Sequence, residues 1–164
     1  MSIAEDPVEW SRQRWIDHGA PLPEQFSAMA AVLRTHQAMC AIIDTKLRAF
    51  DLTRTGYLLM STILISRDGT RPLGQLSKHL MVHPTTVTLA LDQLEKRDLL
   101  RRTPHPTDRR TILASLTPAG RDLLDQATRS LAEAEYGLPG IGEELSIQLT
   151  GMLRGVRARI GDTG

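Results

Sequence analysis

The 164-residue chain contains one cysteine, Cys40. A lone thiol cannot close an internal disulfide or supply a Cys-x-x-Cys metal site, which excludes a disulfide scaffold and fits a reducing compartment. No apolar run approaches the roughly 18 residues of a membrane span. The start, Ser2-Ile3-Ala4-Glu5-Asp6, is acidic where a signal peptide would be basic, so a cytoplasmic location is expected. The chain also lacks a glycine-rich phosphate loop, a Gly-x-Ser-x-Gly and a His-Glu-x-x-His. Its acids scatter among basic residues without a paired constellation, so neither catalysis nor a cofactor is expected.

Net charge is nearly absent too, at +1, but its distribution is uneven. Between Arg67 and Arg121 stand ten lysines and arginines against five acids, which leaves the flanks at a net −4. A basic middle third between acidic flanks is the electrostatic footprint of phosphate binding. With 41% hydrophobic and 24% charged residues, the chain has ordinary globular composition and length for one domain.

Asp6-Pro7-Val8-Glu9 supplies a cap, a proline for the first helical position and an acid three residues after the cap. The pattern predicts a short helix to about His18, stopped by Gly19, and both tryptophans, Trp10 and Trp15, should dock against this chain or a partner. Phe26, Met29, Leu33, Cys40, Ile43, Leu47 and Phe50 then keep a three-then-four spacing interrupted by His36. This predicts one long helix suited to packing against other long helices, a second subunit's included. Asp51-Leu52-Thr53 caps a further helix through Tyr57, Ile63 and Leu64, ending near Arg67-Asp68-Gly69.

Pro72 to Leu80 reads as a two-turn helix, Met81-Val82-His83 as a tight turn, and Pro84 as the first position of a helix to about Arg97. Two short helices so joined form a helix-turn-helix. The second would expose Thr85, Thr86 and Thr88 at its start, where hydroxyls and uncommitted backbone N–H groups can meet phosphates or base edges. Leu99 to Thr103 and Thr111 to Leu116 form the one strand pair expected, a wing whose tip carries Asp108, Arg109 and Arg110. Thr117-Pro118 restarts a helix through Leu131, and after the break at Gly137–Gly142 a last helix carries Leu145, Leu149, Met152, Val156 and Ile160 on one face. The fold class expected is mainly α with a small β-hairpin wing. Residues 1–50 and 117–164 would form the dimerisation region and residues 51–116 the winged helix-turn-helix, all within one compact domain.

The string Leu94-Glu95-Lys96-Arg97-Asp98-Leu99-Leu100-Arg101-Arg102, followed by Asp108-x-Arg110 and Leu116-Thr117-x-x-Gly120, resembles the MarR family of bacterial transcription regulators over roughly Phe26 to Ile160. The resemblance implies a homodimer with interlocked terminal helices, bound to a pseudo-palindromic double-stranded DNA operator, and a repressor released by a small aromatic or phenolic ligand. Beside the resemblance, the residues themselves lead to expected DNA contacts from Lys78, His83, Thr85, Thr86, Thr88, Arg101, Arg109 and Arg110. By the resemblance, Arg110 would occupy the minor-groove position and Asp108 would orient an arginine of the wing. At two positions the chain departs from the family. Leu89 stands where an arginine often follows the threonine equivalent to Thr88, so specificity should lean on wing shape readout and dimer spacing. Asp98 replaces the glycine common before the wing, a residue that tolerates the left-handed conformation.

His36, with Cys40 one turn later, admits several readings: a core or dimer-interface histidine satisfied by a neighbour, the polar anchor of an apolar ligand pocket with Met39, Cys40 or Tyr57, or a thiol switch in a redox-sensing repressor. The peroxide-sensing branch of the family carries its cysteine nearer the start of this helix, and two ligands are too few for zinc. His79 and His83 also stand four apart, but the helix turn separates them, and His83 reads as a cap. A winged-helix module that binds protein and not DNA is the remaining alternative.

Overall fold

Local capping sets most helix boundaries in the computed structural model, which describes residues 6–80, 82–108 and 110–162, with the backbone alone at Lys78 and His79. Helix α1 spans Pro7–Asp17, with the Asp6 carboxylate accepting the Val8 N–H at 2.9 Å and Pro7 in the first turn, as the sequence predicts. Helix α2 spans Pro23–Arg48, α3 Arg54–Leu64, α4 Leu73–Leu80, α5 Pro84–Lys96, α6 Pro118–Glu133 and α7 Gly142–Arg159. Strand β2 is Leu100–Pro104 and β3 is Ile112–Leu116.

Strand β1, Thr70–Pro72, was not expected from the sequence, which offered a single strand pair. It pairs antiparallel with β3, placing Arg71 opposite Ala114, so β3 is central in a three-stranded sheet. Three residues ending in proline carry no period-2 signal, and the segment becomes a strand only because β3 offers an unpaired edge. Pro72 is tolerated there because β1 is itself an edge.

The chain divides into two units, residues 1–42 and 43–164. In the first, Trp15 stacks on Phe26 with ring centroids 4.0 Å apart, and its indole N–H donates to the Pro21 carbonyl at 2.8 Å. Arg12 clamps Glu24 and also reaches Glu9 at 3.2 Å, which holds the Glu24 carboxyl below its ordinary value. Of the two tryptophans, only Trp15 docks this way, and Trp10 remains 61% exposed. Helix α2 has a mean hydropathy of 1.2 over its most apolar 18 residues, yet Arg34, Thr35, His36 and Gln37 break the run and little of it is buried.

In the second unit the core is built from Leu47, Leu59, Met60 and Ile63 with Leu76, Leu91, Leu94, Leu100, Leu124 and Leu131. Each such side chain gains about 2 kcal/mol from leaving water. Helix α3 is central, with Gly56, Leu59, Met60, Thr62 and Ile63 all buried, matching its apolar content on several faces. Asp98 takes φ 52°, the left-handed conformation foreseen for it, and so turns the chain from α5 into β2. The Arg97 guanidinium donates to the carbonyls of Asp51, at 2.5 Å, and Phe50, at 3.0 Å, tying the end of α5 to the chain leaving α2.

Candidate nucleic-acid interface

The helix-turn-helix begins with α4, whose Leu76 is buried and whose Leu73 and Leu80 pack on the core. Lys78 lies on α4, with its side chain outside the described residues. Helix α5 buries Val87, Ala90, Leu91 and Leu94 and leaves Thr85, Thr86, Thr88 and Leu89 exposed. This segregation follows from a 3.6-residue repeat with apolar residues at 87, 90, 91 and 94.

His83 is the N-cap of α5, with its Nδ1 accepting the Thr85 N–H at 3.3 Å. Its backbone carbonyl accepts the N–H groups of Thr86 at 2.9 Å and Val87 at 3.2 Å. Pro84 has no N–H, so the first-turn donors expected to be open to phosphates are instead all taken up by His83. What the helix start presents outward is hydroxyl. Thr88 donates its own to the Pro84 carbonyl at 3.1 Å, leaving its oxygen as an acceptor.

The wing follows. Strands β2 and β3 are paired from Leu100↔Leu116 to Pro104↔Ile112. Arg101 is exposed on β2 opposite Ser115. Arg102 points elsewhere: its guanidinium meets Asp92 at 2.5 Å and Glu95 at 3.4 Å, so it fastens β2 to α5. Adjacent arginines on a strand face opposite sides, which is why one is committed inside and its neighbour is not.

The wing tip is organised by two side chains. The His105 Nδ1 accepts the backbone N–H groups of Thr107 at 3.3 Å and Asp108 at 3.2 Å, while the His105 backbone N–H donates to the Thr111 carbonyl at 2.9 Å. One carboxylate oxygen of Asp108 accepts the Arg110 N–H at 3.0 Å, and the other accepts the Thr111 hydroxyl at 2.6 Å. These bonds, the hydroxyl's first and the backbone's second, hold the Asp108 carboxyl below its ordinary value. Asp108 thus acts on Arg110 through the backbone, and Arg110 itself is exposed. Arg109 lies outside the described residues. The role of His105 was missed in the sequence, although a histidine between two prolines just ahead of Asp108 was the available signal.

The Leu116-Thr117-x-x-Gly120 string locks the wing to α6. The buried Thr117 hydroxyl donates to the Asp98 carbonyl at 2.6 Å and its oxygen accepts the Gly120 N–H at 3.0 Å.

The candidate ligand residues divide between the two units. His36 and Cys40 lie one turn apart on α2, with Nε2 and Sγ 3.3 Å apart; His36 is exposed and Cys40 buried, and Met39 beside them is half-buried. Tyr57, in the second unit, contacts the Thr128 hydroxyl on α6 at 3.2 Å. An open cleft of about 370 Å3 where α6 gives way to α7, lined by Tyr136, Leu138 and Ile141 among others, contains none of these four residues.

Residues 52–112 match the model of the MarR family. The chain is 37% identical over 97 residues to the uncharacterised HTH-type transcriptional regulator YhbI of Bacillus subtilis, a match covering 59% of this chain and 62% of that protein. It therefore spans somewhat less than two thirds of that curated relative. Among solved structures it superposes on Sco5413, a MarR family transcriptional regulator from Streptomyces coelicolor, with a TM-score of 0.76 and 29% identity, covering 85% of this chain and 97% of that one. Sco3205 of the same organism, also a MarR family transcriptional regulator and solved in complex with DNA, gives a TM-score of 0.74 at 19% identity, covering 82% of this chain and 86% of that one. With its winged helix-turn-helix, the chain is thus similar in sequence over residues 52–112, and in fold over most of its length, to MarR family transcriptional regulators.

Proposed function

We propose that this chain is a dimeric, sequence-specific DNA-binding transcriptional regulator, a repressor of the cytoplasm that a small aromatic or phenolic ligand releases from its operator. The observation that carries the reading is the pairing, within one body, of a capped α5 with an outward threonine face and a wing whose tip holds Arg110 out to solvent. Threonine hydroxyls fit base edges and phosphates of a major groove, and an arginine at a hairpin tip fits the narrow, electronegative minor groove beside it. The DNA-bound state of Sco3205 supports the same assignment.

Dimerisation through residues 1–50 and 117–164 agrees with the apolar side chains left in water: Met29, Val32 and Leu33 on α2, and Ile147, Met152 and Val156 on α7. Apolar exposure on this scale on two long helices marks a protein interface. The winged helix-turn-helix would then occupy residues 51–116 of each subunit, with Lys78, His83, Thr85, Thr86, Thr88, Arg101, Arg109 and Arg110 at the DNA.

A gel-shift titration with DNA from the protein's own upstream region tests the reading. Binding that weakens steeply with salt is expected, because each neutralised phosphate releases counterions. Absent binding at low salt would overturn it. For the ligand, a thermal-shift screen of phenolic acids against wild type and His36→Ala should show a smaller shift in the variant, and equal shifts would remove His36 from the pocket. The 3.3 Å Cys40–His36 contact favours a second reading, thiol-based sensing. In that case peroxide would release wild type from DNA and leave Cys40→Ser bound.

A further inference from the structure

We infer that Leu89 is a specificity-determining residue that reads the C5-methyl group of a thymine in each operator half-site. The inference rests on the DNA-binding reading above and adds to it what the recognition helix recognises.

Leu89 is 59% exposed. Helix α5 turns Val87, Ala90, Leu91 and Leu94 inward, and at 100° per residue Leu89 falls close to the middle of the opposite face. Its neighbours at i−4, i−3, i+3 and i+4 are Thr85, Thr86, Asp92 and Gln93, all polar. Leu89 is therefore not part of an apolar patch. A protein-docking surface of useful size would need contiguous apolar area, which α7 has and this face lacks.

A solitary branched aliphatic group framed by hydroxyls matches one partner in the major groove. A T·A pair presents a methyl group beside the O4 acceptor, whereas cytosine offers an amino donor and guanine two acceptors. The rest of the face does not suit G·C pairs. Asp92, the acid that could accept from a cytosine amino group, is held by Arg102 at 2.5 Å. The cation of this face, Lys96, stands at the last turn of α5, away from the end that carries Thr85 and Thr86. The methyl groups and hydroxyls of the three threonines tolerate the same A·T character, so the leucine standing in the family's arginine position changes the preferred base.

Selection of binding sequences from a random duplex pool with the full chain supplies the operator, and each thymine in it is then replaced singly by deoxyuridine, which lacks only the methyl group. One thymine per half-site should respond, with wild type binding the deoxyuridine duplex about fourfold more weakly, the value of one methyl group removed from water. Leu89→Ala should bind the thymine and deoxyuridine duplexes equally, with an unchanged melting temperature because the position is exposed, while Thr86→Ala should keep the methyl preference. If no thymine responds in wild type, or Leu89→Ala retains the full penalty, the inference is overturned and the DNA-binding reading survives. If wild type selects no sequence at all, the DNA-binding reading falls and takes the inference with it.

Discussion

A β-carbon built on Gly120 would lie 1.9 Å from the carbonyl oxygen of Leu99. The first turn of α6 is pressed against the backbone entering β2, and the Thr117 N–H donates to that same Leu99 carbonyl at 3.2 Å. Backbone against backbone leaves no flexible side chain to yield. Gly120→Ala should therefore force α6 off the wing and cost about 3 kcal/mol or more. Chemical denaturation should show the lower midpoint, and a variant as stable as wild type would mean that α6 does not dock this closely.

His83 carries both halves of the α5 cap. His83→Ala removes the Nδ1 acceptor from the Thr85 N–H and should cost roughly 1 kcal/mol, whereas His83→Asn, which offers a side-chain oxygen for the same bond, should recover most of it. Thermal melting separates the two. Equal losses in Ala and Asn variants would assign the effect to something other than capping.

At the wing tip, Arg110→Ala should weaken operator binding by roughly tenfold and relax preference at the flanking A·T positions. His105→Ala should weaken it less, without altering the core, because the turn from Thr107 to Asp108 loses its acceptor. His105→Asn should restore binding, as asparagine closes the same local turn through its own oxygen. If His105→Ala binds as wild type does, the tip needs no such organisation.

Asp108 gives the wing a pH signature. Its folded carboxyl titrates below the ordinary value of 3.8, chiefly through the Thr111 hydroxyl and then the Arg110 N–H. A depressed carboxyl contributes its stabilisation fully above the unfolded value, and the contribution is lost as pH falls through the folded value. The wing should thus be unchanged across neutral pH and loosen only below about pH 4. A carbon-detected NMR titration of Asp108, compared with Asp108→Asn, checks this, and a carboxyl titrating at or above 3.8 would contradict the bonding at the tip.

The exposed α7 face should report on assembly. Met152→Lys with Val156→Glu, substitutions at side chains 72% and 51% exposed, should leave the single-chain fold intact and convert a dimer into monomers in light scattering. An undiminished dimer would move the interface elsewhere.

Much of this was written in local chemistry. Asp6-Pro7, Thr53, His83-Pro84 and Thr117-Pro118 each start a helix where the sequence predicts one, since a cap and its N–H partner lie within three residues of one another. The wing motif was legible for the same reason, because Asp108, Arg110 and Thr111 meet across a single turn.

Other features depend on residues far apart in the chain. Strand β1 exists by virtue of β3, more than forty residues later, and Arg71 finds its place opposite Ala114 only through that pairing. Arg102 could not be told from Arg101 until α5 brought Asp92 and Glu95 beside it. A partner close in sequence was hidden as well: the N–H groups at the start of α5 looked open to phosphate because sequence shows a helix N-terminus but not the rotamer by which His83 fills it. The sequence by itself determined where four of the helices begin, where the positive charge gathers and which Asp-x-Arg motif shapes the wing. Tertiary structure alone decided which arginines stay available, because availability is what remains after every long-range partner has been satisfied.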